Sequence, residues 1–104
     1  MKDKLKKLVE EVDLLDPQND VLWEINRQKR IELLTVELSQ TIEYLDECSE
    51  KELWWNTDLL EELMQHFKSS ELIKCIERNI KRCKNLDTID SLKQELEYMK
   101  DMLV

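Results

Sequence analysis

The chain has 104 residues, a formal net charge of −8, 38% charged and 41% hydrophobic residues, no glycine, no alanine and one proline. Without glycine it lacks the residue that serves Gly-rich phosphate cradles, dinucleotide fingerprints and nucleophile elbows. The acidic balance argues against general affinity for nucleic acid or anionic membranes, and no apolar run approaches the ~20 residues of a membrane span.

The first predicted element carries Leu5, Leu8, Val9, Val12 and Leu15 at three- and four-residue steps, an amphipathic helix of about four turns. Its lysines are not followed by an apolar stretch, so it is not a secretory signal, and a cytoplasmic location is expected. The helix should stop near Asp16-Pro17, because proline disfavours helical geometry in the residue before it; Asp16 is the expected cap of the next helix. That second helix is predicted to be long, from about Gln18 to Cys48, spanning ~45 Å. Ile31, Leu34, Leu38, Ile42 and Leu45 form its apolar stripe. Val21, Leu22 and Ile25 lie upstream in a shifted phase, across the polar stretch Asn26–Arg30.

Ser49 followed three residues later by Glu52 has capping-box spacing and opens a third helix marked by Leu53, Leu60, Leu63, Met64 and Phe67, with a restart expected at Asn56-Thr57-Asp58. Ser69-Ser70-Glu71 opens a fourth with Leu72, Ile73, Ile76 and Ile80, ending near Asn85. Asp87 is the expected cap of a fifth, whose stripe Ile89, Leu92, Leu96, Met99 and Leu103 steps three, four, three, four. No strand-like alternation competes with these patterns. The expected fold is all-α: a long helix leading into a three- to four-helix bundle. Residues 1–30 would form an N-terminal helix and the projecting start of the long helix, and residues 31–104 the bundle.

Catalytic chemistry finds few footholds. His66 is the only histidine, which leaves no partner for a triad or a multi-histidine metal site, and it is expected on a helix surface. Adjacent acids such as Glu61-Glu62 point ~100° apart on a helix and do not converge on a metal. Cys48, Cys75 and Cys83 are odd in number and lack paired CxxC spacing, which fits reduced, partly buried thiols. No catalytic, cofactor or metal residue is assigned, and no cofactor is expected.

Two surfaces stand out as candidate binding features. Trp54 and Trp55 are adjacent on a helix, so one is expected to pack inward and the other to sit at the rim or contact a partner; with Trp23 they form the candidate interaction surface. Lys74, Arg78, Lys81 and Arg82 follow helical spacing and form a basic stripe. Between Glu43 and Glu62 the only base is Lys51, so docking of the basic helix beside this acidic segment is a better account of the stripe than duplex DNA.

Leu72 to Arg78, then Asn85-Leu86-Asp87, then Leu92 and Met99, resemble the end of bacterial DnaK-like chaperones, the seventy-kilodalton heat-shock family, in which a helix is followed by a short Asn/Asp-containing break and a last amphipathic helix. Val12 to Asp20 and Ile31 to Leu34 with Leu45-Asp46 resemble parts of the long helix of those regions. The resemblance implies a non-catalytic lid or regulatory module of an ATP-dependent chaperone, with the ATPase and peptide-binding parts upstream, outside this chain. Its partners would then be the upstream domains of its own protein. The alternative is a free-standing acidic helical adaptor, homodimeric through the 89–103 seam. A DNA-binding regulator ranks third. Neither a nucleic-acid nor a membrane partner is expected.

Overall fold

The computed structural model describes residues 1–103. Seven α-helices follow one another: α1 (Lys2–Leu14), α2 (Asp20–Leu34), α3 (Leu38–Glu47), α4 (Glu50–Asn56), α5 (Leu60–Phe67), α6 (Ser70–Arg82) and α7 (Leu86–Asp101). A 3-10 turn, Thr57–Leu59, joins α4 to α5, at the restart expected around Asn56-Thr57-Asp58. The described residues contain no strand, and no helix among them is long and apolar enough to cross a membrane.

The single helix expected from Gln18 to Cys48 is two helices. Thr35 and Val36 are β-branched and lose side-chain freedom in a helix. The Thr35 hydroxyl donates back to the Ile31 carbonyl (2.9 Å), and the Leu34 carbonyl, released from the helix ladder, accepts from the Thr41 hydroxyl (2.6 Å). With the break in place α3 folds onto α6, and the ~45 Å lever does not exist. The Cα radius of gyration is 13.1 Å, which a packed domain of about 100 residues attains only with no projecting helix.

Residues 1–30, expected to project, are docked instead. Leu5, Val9 and Val12 are buried on α1, and Leu5 joins the central cluster with Leu34, Leu45, Leu53, Leu60, Leu72 and Leu92. Leu92, Leu96 and Met99, the proposed dimer seam of the last helix, are buried in the same core and are not free to pair with a second copy. Leu103, at the end of that stripe, is exposed.

Asn26–Arg30, expected to mark a boundary, lies at the centre of the N-terminal half. Asn26, Arg30 and Leu34 share one face of α2 and all point inward. Arg30 is 2% exposed. Its Nε donates to Asn26 Oδ1 (2.8 Å), and its Nη1 donates to the Trp55 carbonyl (2.8 Å) and to Asn56 Oδ1 (3.1 Å). Asn26 Nδ2 donates to the Leu8 carbonyl (2.8 Å), while Asn56 Nδ2 donates to Tyr44 Oη (3.1 Å), which itself donates to Glu52 Oε2 (2.7 Å). One polar chain therefore ties α1, α2, α3 and α4 together.

A second junction joins α3 to α6. Asp46 accepts from Arg78 Nη2 (2.8 Å) and Asn79 Nδ2 (2.9 Å), and Arg82 Nη2 reaches the Leu45 carbonyl (2.9 Å). Burial alone would raise the Asp46 carboxyl, but these donors outweigh it and hold it below the usual carboxylate range. Glu50 accepts from the backbone N–H groups of Lys84 (3.0 Å) and Asn85 (2.8 Å). The basic helix is docked on the acidic segment, as the charge pattern suggested.

Helix ends show how the chain manages without glycine. The caps at Leu15, Cys48 and Cys83 leave α1, α3 and α6 in extended backbone (ψ 144, 163 and 146), which any residue adopts. Only α5 ends in the left-handed region, at Lys68 (φ 46, ψ 48). Ser49 and Ser69 cap α4 and α6 as expected. The expected caps Asp16 and Asp87 are displaced to Asn19 and Asn85. Asp16 instead accepts from the Gln18 N–H (3.0 Å) in the loop, and Asp87 sits in the first turn of α7, where its charge complements the helix dipole.

Two measurements check this account. Arg30→Met keeps much of the volume but leaves the Trp55, Asn56 and Asn26 acceptors unpaired, so urea unfolding should show a loss of ~3 kcal/mol or more; unchanged stability would show that packing, not hydrogen bonding, holds the network. Lys68→Gly removes the only left-handed non-glycine strain among the described residues and should raise stability by ~0.5–1 kcal/mol, a rise of a few degrees in Tm by calorimetry.

Candidate functional site: a groove walled by three tryptophans

Trp23 lies seven residues before Arg30, so it shares that residue's side of α2. This brings it to Trp55 on α4, with ring centroids 5.3 Å apart and planes at 62°. Trp54 meets Trp55 at 4.9 Å and 83°. Both are edge-to-face contacts, the favoured geometry of aromatic pairs, each worth ~0.5–1.5 kcal/mol beyond area burial. Trp55 is half-buried and its Nε1 donates to Asp13 Oδ1 on α1 (3.2 Å). Lys51 pairs with the other Asp13 oxygen (2.5 Å), and Lys51 first, then Trp55, hold the Asp13 carboxyl below its ordinary value. Trp54 is 43% exposed at the rim. The expected division of the neighbouring tryptophans into one inward and one outward ring is present.

The three rings wall a groove of about 360 Å³ between α2, α4 and α7, completed by Arg30, Asp58, Ser91, Gln94 and Glu95. Its size falls in the range of ligand pockets. Two atoms of its lining residues are buried without a close hydrogen bond, the Trp23 Nε1 donor and Glu95 Oε2, although the Glu95 carboxyl also engages Glu61. Such groups are uncommon in folded proteins and carry a desolvation cost when unpaired. Burial, then the neighbouring Glu61 carboxylate and Asp58, push the Glu95 carboxyl up to about 7. A second groove of about 390 Å³ shares Trp54 and Trp55 as its wall and is lined also by Glu50, Asn85 and Asp87.

The basic stripe is not part of this site. Arg78 and Arg82 are committed to α3, Lys74 pairs with Glu71 (3.4 Å), and Lys81 is exposed. His66 is exposed on α5, its ring against Phe67. Burial pushes the Cys48 thiol up to about 11 and the Cys75 thiol up to about 12, so both stay protonated at neutral pH and are poor nucleophiles. Cys83 is half-buried; all three cysteines are free thiols.

Sequence reasoning found the three tryptophans but not Arg30 or Glu95. For Arg30 the signal existed: residues 23, 26, 30 and 34 continue one helical face, so the Leu34 stripe leads back through Arg30 to Trp23. Glu95 gives no such signal, because its burial depends on α7 crossing the 3-10 turn. Comparison with protein-family models, with curated proteins and with solved structures gives no match to this chain.

The Glu95 environment sets a pH dependence. Its folded-state pKa lies above the ordinary 4.5, so between 4.5 and about 7 the folded chain holds a proton that the unfolded chain has lost. Stability from this group is full at low pH and falls as pH rises through 7. Thermal unfolding should show that decline, and Glu95→Gln should flatten it; an unchanged slope in the variant would assign the effect elsewhere.

Proposed function

We propose that this chain is a non-catalytic helical interaction module that seats a peptide segment of a protein partner in the tryptophan groove. The observation that carries the reading is the cluster of three edge-to-face tryptophans walling one open groove, with Trp54 exposed at its rim. A peptide's apolar side chains offer area for the rings, and its main chain offers partners for the polar side chains of the groove, Ser91 and Gln94. Tryptophan is also the residue type most enriched at binding hot spots. A lid swinging on a helical lever needs one continuous long helix, and the break at residues 35–37 leaves none; we therefore place the interaction module ahead of the DnaK-like lid. Two of the four basic-stripe residues are engaged with α3, which removes much of the support for a duplex-DNA reading.

Selection of a displayed random-peptide library on the purified chain tests the proposal. Enriched peptides should quench or shift the tryptophan emission, and Trp54→Ala should weaken them at least ~10-fold, the loss of a modest hot spot of ~1.4 kcal/mol. Failure to enrich any sequence, or binding indifferent to Trp54→Ala and Glu95→Gln, would count against it.

A further inference from the structure

The first half of helix α2 exposes apolar side chains on the outer surface. It turns Asn26 and Arg30 into the protein and leaves Val21 (70% exposed), Leu22 and Ile25 outside. Leu14 on α1 is 86% exposed beside them. These side chains are not scattered. Two adjoining grooves run along the α1–α2 hairpin, one floored by Leu14, Leu15, Leu22 and Ile25 at the loop end (about 400 Å³) and one by Leu8 and Leu33 at the open end (about 400 Å³), with Glu11 and Lys29 lining both. Four large apolar side chains exposed together at one end of a helical hairpin is the pattern of a face covered by something else.

The charges around this groove indicate what covers it. The open end carries Lys4 and Lys7 beside a single acid, Glu32. The α1–α2 loop and its junction with α2, beyond the other end, carry the exposed acids Asp16 and Asp20 and no base. Among the described residues no ion pair engages Lys4, Lys7, Glu11, Asp16, Asp20 or Glu24. A face that is basic at one end, acidic at the other and apolar between is complementary to itself when turned end for end. That is the requirement of an isologous two-fold interface, in which the same patch serves both subunits.

We infer that the occupant is a second copy of this chain, docked hairpin to hairpin in antiparallel fashion, with Lys4 and Lys7 of each copy over the acidic loop end of the other. The four helices so joined bury Leu14, Leu22 and Ile25 of both copies as a small bundle. This face shares no residue with the tryptophan groove, so each copy keeps its groove open, and the dimer presents two. The contact differs from one through the last helix, whose apolar stripe is already spent in the core.

Sedimentation equilibrium of the full chain tests the inference. The expected species has twice the 12.6 kDa mass of the chain, and raised salt should weaken it. The double variant Leu22→Glu/Ile25→Glu, at exposed positions that leave the fold intact by circular dichroism, should raise the dimer Kd at least ~30-fold. Charge reversal adds a readout specific to self-association. Lys4→Glu/Lys7→Glu alone, and Glu11→Lys/Asp16→Lys alone, should each dissociate, whereas an equimolar mixture of the two should pair with each other. A monomer at concentrations of hundreds of micromolar, a dimer insensitive to the Leu22/Ile25 variant, or a charge-swapped mixture that stays monomeric would overturn it.

Discussion

The structure depends on one buried cation. Arg30 places a guanidinium in the interior with no carboxylate in hydrogen-bond reach; its partners are an amide oxygen of α2, an amide oxygen of α4 and a main-chain carbonyl of α4. Burial lowers its pKa from the usual arginine value, the direction expected when a charge loses water without a full countercharge. Neutral acceptors compensate incompletely, so the net gain from burying the cation is small, although removing it would strand three acceptors; few rotations of α2 satisfy all three bonds at once. Fixing that rotation has two consequences. It sets Trp23 against Trp55, which makes the groove, and it turns Leu22 and Ile25 to the outside, which makes the second face. Both surfaces follow from the choice of which side of α2 goes in.

The helices were largely legible in the sequence because their apolar residues recur at three and four steps and because serine and asparagine mark their starts. α1, the restart near Thr57, α6 and α7 fall where periodicity puts them. The long helix was misread for a definite reason. The stripe Ile31, Leu34, Leu38, Ile42, Leu45 keeps helical spacing straight through the break, since a short turn of three residues replaces nearly one helical turn without disturbing the count. Only the hydroxyls of Thr35 and Thr41, which take over carbonyl bonding, give it away. The polar stretch Asn26–Arg30 was misread for the opposite reason: polarity suggested exposure, while phase placed two of its members inside.

The candidate site was legible in part. Tryptophan is rare enough that three stand out in this chain, yet adjacency alone does not bring Trp23 to the other two; that takes the packing of α2 against Trp55 on α4. Glu95 was invisible, because a glutamate on a helix reads as solvated until another element is seen to cover it. The basic stripe was legible as chemistry but not as surface. Its arginines resolve into contacts with Asp46 and the Leu45 carbonyl, so their spacing records the docking of two helices.

The α3–α6 seam has a further property. Cys75 is fully buried there, its sulfur near Asp46 and the Ile42 carbonyl, while Cys83 sits half-covered at the end of the same helix. A soluble alkylating reagent meets Cys75 only after α3 lifts off α6 or the whole chain unfolds, whereas Cys83 is partly open to solvent. The two sulfurs thus form an internal clock and its reference: labelling of Cys75 that outpaces unfolding of the whole molecule reads how often this one joint breathes.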